Sequence, residues 1–236
     1  MQYLGGKQKQ AKDIARTILE DTDYRGSYIE PFVGMGSVLR IIGPHFSELM
    51  AGDLSEDLIL MYQALQRGWR PPRVLPQDVY DSLKLDNPSA VRAFAGFGVS
   101  FGAKWFGGYA GVNNKFRTAE DFSRAASNSL DKISEWLSTH PVEFMHRSFT
   151  EWEIYEGDVV YADPPYANTT GYATGKFDHD LFWRTMKEWT DLGAEVYVSE
   201  FEAPSGWNII WEKSRKVTLS NTSSVCTHID RLYKLA

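Results

Sequence analysis

The 236-residue sequence predicts an α/β fold: a mostly parallel sheet with an antiparallel C-terminal edge, and a small region inserted into it. Three observations lead there. Short apolar strands alternate with amphipathic helices up to about residue 70 and again from residue 142, the pattern of a parallel sheet covered by helices. Between these stretches the composition changes, with six glycines from Gly96 to Gly111 and eight aromatics from Phe94 to Phe122. The last stretch, Trp207 to Leu235, is rich in β-branched and aromatic residues around Ser220-Asn221, as expected of antiparallel edge strands joined by a turn.

In chain order, residues 8–20 place Ala11, Ile14, Ala15, Ile18 and Leu19 at helical spacing. Tyr28 to Val33 is a short apolar strand that ends at Gly34-Met35-Gly36. A helix from Ser37 to Ile42 is closed by Gly43-Pro44. Leu49 to Asp53 is a second strand. Ser55 is the expected N-cap of a helix with Glu56 and Asp57 in its first turn, running to about Arg67 before Pro71-Pro72. Beyond the insertion, Val142–Phe149 and Asp158–Asp163 read as strands, Leu181–Leu192 as a helix and Glu195–Ser199 as a strand.

Composition excludes several classes. With 43% hydrophobic and 24% charged residues the chain is globular rather than disordered. A single cysteine, Cys226, rules out an internal disulfide framework and a cysteine-cluster zinc site. The five histidines lack metal-ligand spacing, so no metal is expected. No apolar run reaches the roughly 18 residues needed to cross a bilayer, and the start of the chain is polar by residue 7, which predicts a cytoplasmic protein without a leader. The net charge of −6 argues at first against a nucleic-acid partner. Its distribution argues the other way: residues 60–130 hold nine basic and five acidic side chains, whereas both flanking segments are acidic. A basic, aromatic, glycine-rich insertion is either a solvated loop region or a nucleic-acid contact surface.

Asp163-Pro164-Pro165-Tyr166 follows an apolar strand, at the end of a parallel sheet where ligands bind. The prolines lack backbone donors and stiffen the turn, so carbonyl oxygens and the Asp163 carboxylate form a cluster of acceptors beside a flat tyrosine ring. Such a cluster suits an exocyclic amine on a planar heterocycle; the bland alternative is a proline-rich turn. Glu30 to Gly36 supplies a strand-to-helix turn whose glycines permit close approach of a ligand, or merely a structural turn, since the third glycine of the dinucleotide fingerprint is missing. Asp53, at the next strand end, is placed to bind a ribose hydroxyl pair or to cap a helix. Lys7, after Gly5-Gly6 and before the first helix, is placed to hold an anionic group or to face solvent.

Tyr3–Lys7, Glu30–Gly36, Asp53, Asp163–Tyr166 and Val198–Phe201, in this order, resemble the Dam-like (D12 class) adenine-specific DNA methyltransferases. The stretch from Ser100 to Tyr109 is similar to that of phage and prophage members. The resemblance implies a Rossmann-like S-adenosylmethionine-dependent methyltransferase fold. It implies that Tyr3, Lys7, Asp53 and Asp163 contact the cofactor, with Phe32, Gly34 and Gly36 against its methionine part. It also implies that Asp163 and the Pro164 carbonyl accept the hydrogens of adenine N6 in the Pro164-Pro165 turn, with Tyr166 stacked on the flipped base. Residues 1–70 and 142–236 would then form the catalytic domain and 71–141 the target-recognition region, with double-stranded DNA as partner and no obligate protein partner. Lys104, Lys115 and Arg117 are candidate phosphate contacts there, and Trp105, Tyr109 and Asn113 candidate base contacts; each is otherwise an ordinary surface or packing residue. One position departs from the family pattern: Arg147-Ser148-Phe149 stands where relatives often carry an acidic residue after the third strand. Two other readings compete, a methyltransferase acting on RNA adenine or on another planar amide or amine, and a DNA-binding protein that has lost turnover.

Overall fold

The computed structural model describes residues 7–111, 118–165, 177–218 and 225–236. Seven strands form one sheet: β1 Ser27–Glu30, β2 Glu48–Asp53, β3 Glu143–His146, β4 Val159–Ala162, β5 Glu195–Glu200, β6 Trp207–Thr218 and β7 Val225–Leu235. Their order is β3-β2-β1-β4-β5-β7-β6. The first five are mutually parallel; β7 runs antiparallel to β5 and β6, giving the antiparallel C-terminal edge. The turn expected at Ser220-Asn221 lies outside the described residues.

Seven α-helices are described: α1 Ala11–Asp21, α2 Leu39–Ile42, α3 Glu56–Gln66, α4 Gln77–Leu83, α5 Ala90–Ala93, α6 Ala119–Leu137 and α7 His179–Asp191. They cover both faces of the sheet. Period-2 alternation along each strand divides the core in two. Tyr28, Val159, Tyr161 and Tyr197 face a cluster with α1, α2, α3, α5 and α6, whereas Ile29, Val160, Ala162, Val196 and Val198 face Phe182, Met186 and Trp189 of α7. Strands buried on both faces read as continuous apolar runs rather than alternating ones, which is why Asp158–Asp163 was legible as a strand.

Several boundaries differ locally from expectation. Gly43-Pro44 does not stop the chain after α2; residues Gly43–His45 continue as one tight turn of 3-10 helix. The third strand ends at His146 rather than Phe149, and Phe149–Glu151 forms a 3-10 turn. Ser55 is the N-cap of α3 by position, but its side chain makes no capping bond. The Asp53 carboxylate accepts the backbone N–H of Ser55 itself at 2.9 Å, fixing the approach to the helix.

The insertion lies in the crossover from β2 to β3. Its longest element, α6, begins with a capping box in which Thr118 accepts the Asp121 N–H and the Asp121 side chain accepts that of Thr118. Ala126, Leu130, Ile133 and Leu137 then fall on one face and join the same core cluster as α3. Phe94, Ala95 and Val99 enter that cluster too, so these parts of the insertion share the core of the sheet domain. A guanidinium ties them further. Arg92 pairs with Asp57 of α3 at 2.5 Å, donates to the Leu83 carbonyl at 3.0 Å, and lies over the rings of Trp105 and Phe106.

Candidate active site

The chain leaves β1 toward β2 on one side and, after β3, reaches β4 on the other, so the sheet reverses its winding between β1 and β4. A crevice opens at such a point, beyond the carboxyl ends of the strands. The register Tyr28↔Val159 and Ile29↔Val160 brings Glu30 and the residues following β4 to this end together.

On the β1 side stands the glycine turn. Gly34 and Gly36 have φ of 45° and 58°, a left-handed conformation that glycine adopts without Cβ strain. A Cβ on Gly36 would come within 3.2 Å of the Tyr62 hydroxyl, which itself donates to the Gly34 carbonyl at 2.9 Å. The Gly34 N–H is donated to Asp53 at 3.1 Å. Asp53 therefore joins the glycine turn to the start of α3, one carboxylate oxygen to each. Burial raises the Asp53 carboxyl above its usual range, and the backbone N–H groups of Ser55 and Gly34 work against that rise. Phe32 packs against Phe149, Phe177 and Phe182 with centroids 5.5 to 5.9 Å apart. The Ser37 hydroxyl, next along, is buried and has no hydrogen-bond partner among the described residues.

On the β4 side stand Asp163, Pro164 and Pro165, with Pro164 buried. Asp163 is paired with Lys7, Nζ to Oδ1 3.3 Å, so the lysine read as an anion holder before α1 reaches across to the acceptor cluster. Burial pushes the Asp163 carboxyl up to about 6, with Lys7 pulling it down and Asp230 pushing it up. Glu30, 2% exposed, closes the floor: Tyr28 donates to it at 2.7 Å, and burial, with the charge of Asp163, raises its carboxyl to about 8. Between them the Tyr161 hydroxyl bonds that of Ser199 at 2.9 Å. Tyr3 and Tyr166 lie outside the described residues.

Three of these groups escaped the sequence reading as site residues. Glu30 sits in the glycine motif and carried its own signal, a carboxylate at the end of an apolar strand. Asp230 did not stand out, nor did Gln10, which donates to the Asp230 carboxylate at 2.9 Å, although Asp230 lies two residues before the buried Leu232 and thus on a core-facing position of β7.

The residues fit S-adenosylmethionine. A turn opened by two glycines admits a close ligand, the Asp53 carboxylate offers acceptors to a ribose diol, and an unsatisfied buried hydroxyl remains at Ser37. Past Asp53, His146, Arg147, Glu151 and Glu153 line an open cleft of about 480 Å³. At the position that departs from the family pattern, Ser148 is engaged in its own turn, its N–H donated to the Glu151 carboxylate at 2.6 Å. Among the described residues no group of three or more His, Cys, Asp or Glu side chains could hold a metal ion, and no helix is long and apolar enough to cross a membrane.

The insertion's candidates are placed unevenly. Lys104 is exposed. Trp105 is half-buried, its ring 4.4 Å from that of Phe97 and filling the space beside Gly96, where a Cβ would meet it at 2.3 Å. The Tyr109 hydroxyl donates to the Leu75 carbonyl. Phe101, between Ser100 and Gly102, is 71% exposed. Asn113, Lys115 and Arg117 lie outside the described residues.

Comparison with known proteins gives a family match over part of the chain. Residues 3–94 match the family model described as D12 class N6 adenine-specific DNA methyltransferase. No curated protein matches the chain at a significant level. Several solved structures are similar to the chain at low identity. One is a Pyrococcus horikoshii protein assigned as an RNA methyltransferase, with TM-score 0.46 and 10% identity over 96% of this chain and 82% of that one. Another is magnesium protoporphyrin IX methyltransferase from Synechocystis PCC 6803, with TM-score 0.41 and 9% identity over 99% and 81%. A third, an rRNA methylase from Streptococcus thermophilus, has TM-score 0.39 and 6% identity over 95% of each chain. The family match covers α1, the glycine turn, Asp53 and α3, over which this chain is similar to the D12 class N6 adenine-specific DNA methyltransferases.

Proposed function

We propose that this chain transfers a methyl group from S-adenosylmethionine to N6 of an adenine turned out of duplex DNA. The observation that carries the proposal is the placement of Asp163, on the rigid Pro164-Pro165 turn, at the point where the sheet reverses its winding. The glycine turn and Asp53 stand on the neighbouring strand ends.

Adenine N6 is hidden within a duplex, so the base swings out at a cost of a few kcal/mol. Its nitrogen lone pair is delocalised into the ring and makes a poor nucleophile. Asp163 and the Pro164 carbonyl accept the two N6 hydrogens and so help localise that pair as the nitrogen turns tetrahedral. S-adenosylmethionine, when bound, supplies a methyl group already activated on a sulfonium with a neutral leaving group. The chain's remaining task is to hold N6 in line with it, a positioning effect that accounts for much of the rate. Asp163 also takes the proton released, and it need not be a strong base because the methylated nitrogen is acidic. Tyr166 stacks on the extruded base.

Residues 71–141 serve as the target-recognition region, with Lys104, Lys115 and Arg117 on phosphates and Trp105, Tyr109 and Asn113 toward bases. The setting is the cytoplasm of a bacterial or phage-infected cell. The test is substitution of the acceptor. Asp163→Ala abolishes methyl transfer to duplex DNA and leaves the thermal melt in place; a variant that turns over normally refutes the assignment.

A further inference from the structure

The Asp163 carboxylate does not have Lys7 to itself. Lys7 Nζ, on a side chain 6% exposed, lies 3.3 Å from Asp163 and 3.8 Å from Asp230 of β7. Asp230 is itself 2% exposed, and Gln10 at the start of α1 donates to its other oxygen at 2.9 Å. One buried ammonium is thus shared by the partly buried Asp163 carboxylate and the buried Asp230 carboxylate, and the second is oriented by a neutral amide. Keeping a charged group in such a place costs stability unless it is paired and hydrogen-bonded, and this one is both.

Its consequence follows from charge. Were Lys7 paired with Asp163 alone, the ammonium would settle on that carboxylate, fix both its oxygens and drain its strength as an acceptor. A second carboxylate on the far side draws the ammonium back. Asp163 then keeps one firmly placed oxygen against Lys7 and residual negative charge on the other. We propose that Asp230 is a positioning residue of the methyl-transfer site, acting through Lys7 to set the orientation and charge of the Asp163 carboxylate. The proposal rests on Asp163 being the acceptor for the reacting amine. It assigns a role to the C-terminal antiparallel strand, which none of the sequence motifs reaches.

Among the described residues, the titratable groups that act on Asp163 are Lys7 before α1, Glu30 of β1, Tyr161 of β4 and Asp230 of β7. Glu30 is held neutral to about pH 8, and Tyr161 stays protonated because burial raises its hydroxyl well above the usual range. Among the described residues, Lys7 and Asp230 are therefore charged neighbours that a single substitution can rebalance. Asp230 pushes the Asp163 carboxyl upward, so neutralising Asp230 moves it down.

The experiment uses the whole chain and two readouts. The Asp163 carboxyl is titrated by carbon NMR in the parent, in Asp230→Asn and in Gln10→Met, and single-turnover methyl transfer to duplex DNA is followed against pH. In Asp230→Asn the Asp163 midpoint drops below the parental value of about 6. The acid limb of the rate profile shifts with it, and the plateau rate falls about tenfold with little change in KM, as loss of precise positioning requires. Gln10→Met leaves the charge in place and gives a smaller change in the same direction; it also carries the test if Asp230→Asn fails to melt cooperatively. An unchanged Asp163 midpoint and an unchanged profile in a folded variant overturn the proposal. If the parent transfers no methyl group to DNA while the Asp163 midpoint still moves in Asp230→Asn, the substrate assignment is wrong and the hold of Asp230 on Asp163 stands.

Discussion

Glu30 presents the sharpest consequence at the scale of the single residue. It is a carboxyl buried beneath Asp163, hydrogen-bonded by Tyr28, and it stays protonated in the fold to about pH 8. In the unfolded chain it ionises near 4.5. A folded-state value above the unfolded one means a contribution to stability that is fully present below pH 4.5 and is lost as the pH rises to 8. Glu30→Gln keeps an acceptor for the Tyr28 hydroxyl and removes the titration. Between pH 5 and 8 the parent should lose up to a few kcal/mol relative to the variant, read from denaturant melts at each pH. Melts that run parallel across that range contradict this. Asp163 obeys the same sign with a lower midpoint, so methyl transfer should rise with pH through about 6, as the carboxyl ionises. At this scale the sequence revealed the acceptors but not their charges' partners. Asp-Pro-Pro-Tyr after an apolar strand is local information. The meeting of Lys7 with Asp163 and Asp230 joins residues far apart in the chain, and only the closed sheet brings them together.

Among elements, those of residues 1–70 and 142–236 were legible because each strand and helix declares its own period, and punctuation by glycine and proline marked most of their ends. The shortfall was α6. Its capping box at Thr118 and Asp121 and its Ala126-Leu130-Ile133-Leu137 stripe were present in the sequence, overshadowed by the glycine and aromatic run just before them. That run was legible only as composition, which says which residue types occur and not which of them pack. Trp105 and Phe106 flank Arg92, whose charge is met by Asp57 on α3. Asp57 also accepts the Ser89 N–H at 2.9 Å, so one carboxylate anchors the start of α5 and its guanidinium alike. Arg92→Met removes the cation and leaves Asp57 buried and uncompensated, a change expected to cost about 3 kcal/mol or more in a urea melt. A loss under about 0.5 kcal/mol, the range of ordinary surface substitutions, would show that the pair does not hold the insertion to α3.

For the molecule as a whole, net charge and local charge point in opposite directions. The chain carries −6, yet residues 60–130 hold the basic excess. Part of that excess is already committed: Arg92 to Asp57, and Arg73 to Asp131 at 2.6 Å and to Asn128 at 2.5 Å. Lys104 stays exposed beside Phe101. DNA affinity should therefore be modest and fall steeply with salt, and neutralising Lys115 and Arg117 together should reduce the logarithmic slope by roughly two. An affinity indifferent to salt would remove the insertion from the DNA interface. The central claim concerns the atom that receives the methyl group. The direct measurement incubates the chain with labelled S-adenosylmethionine and, in parallel, duplex DNA or RNA of mixed sequence, then digests each product to nucleosides. Label is expected in the DNA, on adenine N6, and is absent when Asp163 is Ala. Label on RNA alone, on another base, or on neither polymer would contradict it.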